Sequence, residues 1–369
     1  MALPDLGQER RVVAVIDRPI RAGSVIAVSA LMTSARMRSL AVAGTALLGA
    51  AACGGGELTS PSSATGSSST GTTGAGVVRL ADDLGGRRLL PADNWWNQNI
   101  SGAPLDPQSD AYISFIGRAR QAHPDFGPPP YGIPYIGVSS SQPRVPVTFV
   151  SYGAESDQGF AGENGYPIPD EAKTQPNYIE GGVPGGGTSG DRHLLIVDRD
   201  RWVLFELFAA RWTGQRWEAG SGAVFDLSIN GRRPEGWTSA DAAGLAILPG
   251  LVRYDEAVNG SIRHALRVTV RATNGYVWPA SHRAGSTGGA LPMGARLRLK
   301  ASKDLSGYPS IAQNILRAMQ TYGLIVADNG SDLYVTGVMD SRWDNGVLNP
   351  AFHSLTASDF EVVQLGWGS

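Results

Sequence analysis

The chain has 369 residues, with 31 Lys+Arg against 33 Asp+Glu and a formal net charge of −2. That balance excludes the strongly basic face a nucleic acid requires, so no nucleic-acid partner is expected. A single cysteine excludes a disulfide framework, and 48 glycines, 23 prolines and nine tryptophans favour many short elements joined by tight turns over long helices.

Residues 1–36 form no recognisable element and read as a dispensable or wrongly assigned N-terminal extension, because Met32 or Met37 is the more natural start. From Met37 a basic residue (Arg38) precedes the apolar run 40–48, and small residues lead straight to Cys53. That order is a secretory signal over 37–52, and its apolar part is shorter than the ~20 residues a membrane span takes. Small residues immediately before the only cysteine resemble the lipobox of bacterial lipoproteins. Cys53 is therefore expected to be acylated and to tie an exported protein to a bacterial cell membrane or outer membrane. The plainer alternative is an ordinary signal peptide beside an incidental cysteine. Residues 53–76 are rich in Gly, Ser and Thr and read as a flexible tether, reaching about 25 Å.

Residues 77–369 suffice for one large globular domain. Its opening, 89–134, reads as loop interrupted by a short helix over 109–120. The segment 145–152 alternates like a strand. After the Gly-rich loop 180–190 come 193–198 and 201–208, a hairpin apolar on both faces, as in a strand pair inside a sandwich. Segments 212–217 and 223–227 are expected to continue that sheet. Thr238 to Asp241 has the spacing of a helix N-cap, predicting a short helix through Leu245. Strands follow at 264–271 and 295–300. Ser310 and Gln313 form a capping-box pattern opening the best helix in the chain. Asn329-Gly330 between 324–328 and 333–338 predicts a type I′ hairpin. The fold class is mainly β, a sandwich or distorted barrel with a few short helices; α+β is the other arrangement this pattern permits.

No nucleophile elbow, HExxH, Walker A or EF-hand loop is present. A two- or four-residue hairpin tip that sets Val197 opposite Trp202 would place His193 directly across from Glu206, a candidate general acid/base pair; a three-residue tip would put them on opposite faces. The plain alternative is a structural ion pair. His282 lies in a loop beside Trp278 and is a candidate to assist. His264, at the head of an apolar strand face, reads as a core residue. The three histidines lack zinc-site spacing, so neither a metal nor another cofactor is expected. Asp241, Asp255, Glu256 and Asp328 are the other carboxylates that could act in pairs. Trp237 and Trp278, with Trp95, Trp96 and Trp343, sit in loops or at element ends, where flat faces suit sugar rings. Arg192 and Arg283 are candidate anchors for an anionic group. Arg267 and Arg271, with Arg296, Arg298 and Lys300, are placed on outer strand faces.

Several stretches, Asn94-Trp95-Trp96-Asn97, Ile179-Glu180-Gly181-Gly182, Asp191-Arg192-His193, the run 236–245, Trp278-Pro279-Ala280 with His282, Pro292-Met293-Gly294 and the run 327–331, together resemble those of an uncharacterised family of secreted microbial proteins. The likeness runs from about Leu89 to near the end of the chain. It implies no established activity and carries over no functional residue. The tether, the loop tryptophans and the histidine–carboxylate pair together lead to an expected function: an envelope lipoprotein that binds or cleaves polysaccharide, as a glycosidase or lyase if it is an enzyme. Its alternative is a non-catalytic surface lipoprotein that binds glycan or another envelope protein.

Overall fold

The computed structural model describes residues 78–369. The extension, the signal peptide, Cys53 and the tether lie outside the described residues. Within them no helix is long and apolar enough to cross a membrane.

The architecture is mainly β: sixteen strands in four sheets and five short α-helices, with no closed barrel among the described residues. One sheet of five strands runs in the order Arg79–Leu80, Tyr135–Val138, Leu194–Asp198, Val203–Phe208, Ser221–Asp226. A second, of six, runs Phe360–Val362, Arg296–Leu299, Leu324–Asn329, Leu266–Val270, Tyr334–Thr336, His123–Asp125. The 194–208 hairpin is apolar on both faces because each face meets a core. Ile196, Phe205 and Leu207 join Tyr166 and Trp217 in one cluster. Leu195, Val197 and Leu204 join a larger one that includes Leu266, Val268, Val326 and Val335 of the six-stranded sheet.

Several local expectations give way to tertiary contacts. Segment 212–217 does not extend the five-stranded sheet; Arg211–Trp212 and Trp217–Ala219 belong to a separate three-stranded sheet with Val147–Phe149. Residues 324–329 and 334–336 are not a hairpin, because Leu266–Val270 lies between them, parallel to the first and antiparallel to the second. The Asn329-Gly330 turn crosses over that strand, and Gly330 N–H donates to Val270 O. No helix forms at 238–245. Thr238 Oγ1 donates to Asp241 O and Ser239 Oγ to Leu245 O, so side chains take carbonyls that a helix would have bonded along its backbone. The helix Ser310–Thr321 is present, burying Ala312, Ile315, Leu316 and Met319, but Gln313 reaches Tyr308 O and no capping box closes.

The outward placement of the five basic strand residues also fails for three of them. Arg267, Arg296 and Arg298 are buried, and 264–271 and 295–300 are separated by Leu324–Asn329. Arg298 donates to the carbonyls of Ile100, Ser101 and Ala103, and Arg296 to that of Trp95; both tie loops to the sheet.

Candidate functional site

The hairpin tip has four residues, 199–202, so Asp198 pairs with Val203 and Leu195 with Glu206. His193 is therefore displaced by two residues from the expected register. It falls level with Phe208, their ring centroids 5.8 Å apart. Two-residue alternation still leaves His193 and Glu206 on one face, diagonal rather than opposed.

Their hydrogen bonds go elsewhere. Glu206 is fully buried, and its carboxylate accepts the N–H of Ile247 and of Leu248, at 2.9 Å each. Desolvation drives its pKa up to about 7 against those two bonds. His193, 3% exposed, faces Glu180: Nδ1 is 2.7 Å from Oε2, and Nε2 is 3.1 Å from Ala240 O. A carboxylate and a carbonyl can only accept, so both ring nitrogens carry protons and the ring is a cation. Burial opposes that charge, yet Glu180 outweighs it and raises the imidazole to about 9. Burial likewise acts against ionised Glu180, and His193 overrides it, holding the carboxyl below its ordinary range.

Behind this pair lies Arg267. Its guanidinium takes Asp241 with Nε at 3.0 Å and Nη2 at 2.8 Å, Asp328 with Nη2 at 3.1 Å, and Thr336 Oγ1 with Nη1 at 2.8 Å. The ladder explains the convergence. Val268 pairs with Val335 and Thr336 with Asp125, which lines Arg267, Thr336 and Asp125 across one face. A bulge after Val326 turns Asp328 onto the same face. Asp328 also accepts the N–H of Asn329, the turn role its position suggests. Its side chain is about a quarter exposed, and desolvation raises its carboxyl to about 6 despite Arg267. Asp125, at the solvent edge, is raised too, by desolvation and then, against the pull of Arg267, by Glu180 and Asp191.

His282 is half-buried and its Nδ1 lies 2.8 Å from Ala242 O, while Ser281 Oγ donates to Trp237 O. His193, Glu206 and His282 thus all touch the single segment 238–248. Gly244 sits there at φ 72°, where a Cβ would lie 2.1 Å from Ser281 Oγ. Arg192 also has positive φ, 52°, and donates to Gly190 O; Arg283 is exposed. Trp237 is half-buried under Arg233, and Trp278 half-buried edge-on to Trp95. Trp95, Trp96 and Trp343 are buried core residues. His264 stands apart, bonded to Glu256 at 3.0 Å.

Within this cluster a few atoms are left open among the described residues. No polar partner faces Glu180 Oε1, the Asp125 carboxylate or His282 Nε2, and Asp328 is partly exposed. An ionised carboxylate and a carboxyl raised toward neutrality, coupled through one guanidinium, can accept and donate protons at the same pH. Comparison with known protein families, curated proteins and solved structures found no match.

The His193–Glu180 pair sets a pH dependence of stability. The folded imidazole titrates near 9 against its ordinary 6.5, so its contribution is complete below about 6.5 and disappears as pH rises through 9. A shift of that size corresponds to roughly 3 kcal/mol. Urea unfolding from pH 6 to 10 is expected to show wild type losing its advantage over His193→Gln across that window. A constant difference would contradict a protonated His193.

Proposed function

We propose that this protein is exported, anchored through an acylated Cys53, and cleaves polysaccharide at the cell envelope by acid–base chemistry. One observation carries the catalytic part. Glu180, kept ionised by His193, and Asp328, raised to about 6, open to solvent around the same buried Arg267. In this reading Asp328 protonates the leaving oxygen and Glu180 acts as base or nucleophile, the division of labour glycoside cleavage requires. His193 is a positioning residue, Glu206 braces residues 247–248, and His282 Nε2 is free to meet a sugar hydroxyl. Half-buried Trp237 and exposed Arg283 flank the loop that carries His282. The anchor rests on the sequence alone: signal, small residues, and the single cysteine at the cut.

A second reading is favoured by a specific observation. Both nitrogens of His193 and the carboxylate of Glu206 are engaged and buried, as in a scaffold that binds glycan or an envelope protein without turning anything over. Screening the purified protein against envelope and plant polysaccharides separates the two. Products released by wild type but not by Asp328→Asn support catalysis, and binding without products supports the scaffold. For the anchor, a labelled fatty acid is expected on the wild-type protein and not on Cys53→Ala. A mature protein that keeps residues upstream of Cys53 and carries no lipid would remove that part of the proposal.

A further inference from the structure

At the free edge of the six-stranded sheet, His123 meets His353, the last residue of the helix Asn345–His353. His123 Nδ1 and His353 Nε2 are 3.1 Å apart, with ring centroids 5.4 Å apart and planes 22° from parallel. The excess of centroid over nitrogen separation is about what two ring radii supply, so the nitrogens point head-on. One ring donates to the other, and the lone pairs do not converge on a third point as joint ligation of a metal would need. The outer nitrogens, His123 Nε2 and His353 Nδ1, face no polar partner among the described residues. Tyr334 packs against His123, their ring centroids 4.4 Å apart and their planes tilted by 35°.

The pair opens into a cavity of about 650 Å3 whose wall also carries Arg118, Arg120 and Ser331. Both arginine side chains are more than half exposed. Asp332 is the one carboxylate on that wall; Arg271 holds it through its backbone N–H at 2.9 Å and Nη1 at 2.6 Å, and Arg120 Nε stands 4.0 Å from it. The wall therefore keeps an excess of N–H donors over acceptors. Its position relates it to the other site: His123 and Asp125 share one face of a short strand, and Tyr334 pairs with His123 as Thr336 pairs with Asp125.

We propose that this cavity is a subsite for an oxyanion carried on a sugar, a carboxylate or a sulfate ester, held by Arg118, Arg120 and the His123–His353 pair beside the Tyr334 ring. The sugar rests on the polysaccharide reading above; the anion rests on the cavity alone. Guanidinium and imidazolium N–H groups bind such anions through short charge-assisted bonds. Without a ligand the head-on contact disfavours a second proton, and desolvation followed by the charge of His353 lowers the His123 pKa. A bound anion reverses that preference, so binding strengthens as pH falls. The other charged groups facing the pair are Arg118 and Arg120 on the preceding segment and Asp332 from the sheet. Asp110 sits behind Arg118 at 2.5 Å.

The test is calorimetric titration of the full chain with a uronic acid trimer, a sulfated trimer and a neutral trimer. The anionic trimers are expected to bind at least about tenfold more tightly than the neutral one. That advantage should disappear in the Arg118→Gln/Arg120→Gln double variant, and His353→Gln should flatten its growth between pH 7 and 5. The sulfated and uronic trimers, run side by side, identify which anion the subsite prefers. Equal binding of all three, or anion binding untouched by the double variant, overturns the subsite. Anion binding lost in the double variant of a protein that cleaves no polysaccharide upholds the subsite and removes the catalytic reading. Cleavage of a neutral polysaccharide without preference for anions does the reverse.

Discussion

Asp328→Asn is expected to lower the rate of polysaccharide cleavage by about 10²- to 10⁴-fold, the usual size of a general-acid contribution, while changing stability by less than about 1 kcal/mol. The two effects separate because of what Asp328 touches. Asparagine keeps an oxygen that can accept from Arg267 Nη2 or from the N–H of Asn329, the two bonds the carboxylate makes. It has no proton to transfer. Asp241 still occupies the other side of the guanidinium, so the buried charge is not stranded. The pH profile adds a second readout. Desolvation raises Asp328 to about 6, so a reaction that needs its protonated form declines as pH climbs past that value, and the decline should vanish from the residual activity of the variant. Loss of activity with an unchanged pH profile would indicate that another group is the acid.

How far the sequence reaches can be judged from the residues that meet at Arg267. Period-two alternation correctly puts His193 and Glu206 on one face, since any four-residue tip preserves face. It leaves open which residue opposes which, and that depends on Trp202 adopting φ 58° within the tip. Arg267 alternates with Leu266 and Val268 like a solvent-facing residue, yet a second layer, the irregular 238–248 segment, covers it. Helix-cap chemistry at Thr238 is visible in the sequence, but burial of that segment redirects the same hydroxyls to other carbonyls. Asp328 was legible as a turn residue and also as a candidate carboxylate. Its place beside Arg267 comes from the bulge after Val326, and bulges leave no local signature here. Glu180 is the residue sequence reasoning missed as a site residue. A lone carboxylate in a glycine-rich loop is ordinary, and only the long-range contact with His193 distinguishes it. The Asn-Gly turn shows the same limit: its chemistry marks a reversal of the chain and says nothing about a third strand between the two it joins.

Arg267→Met is expected to destabilise the protein by about 3–5 kcal/mol, the cost of removing one partner from a buried charge network. Arg267 is 4% exposed and Asp241 1%. Without the guanidinium, Asp241 loses both charge-assisted bonds in a place water does not reach, Asp328 loses one, and Thr336 keeps an unmatched hydroxyl. Burial resists the charge on Arg267 itself, but Asp241 first, then Asp328 and Glu180, hold it firmly protonated. The cation is thus fixed at every accessible pH, and deprotonation cannot relieve the deficit. Arg267→Lys should restore little, because a single ammonium cannot reproduce the fork that meets both oxygens of Asp241. Combining Arg267→Met with Asp241→Leu should recover part of the loss, since it removes the stranded carboxylate along with its partner. Equilibrium urea unfolding of wild type, Arg267→Met, Arg267→Lys, Asp241→Leu and the double variant measures these differences at one pH. A single-variant loss below about 1 kcal/mol, or no coupling between the two substitutions, would show that the network is ordinary surface electrostatics and not the buried support on which Glu180 and Asp328 depend.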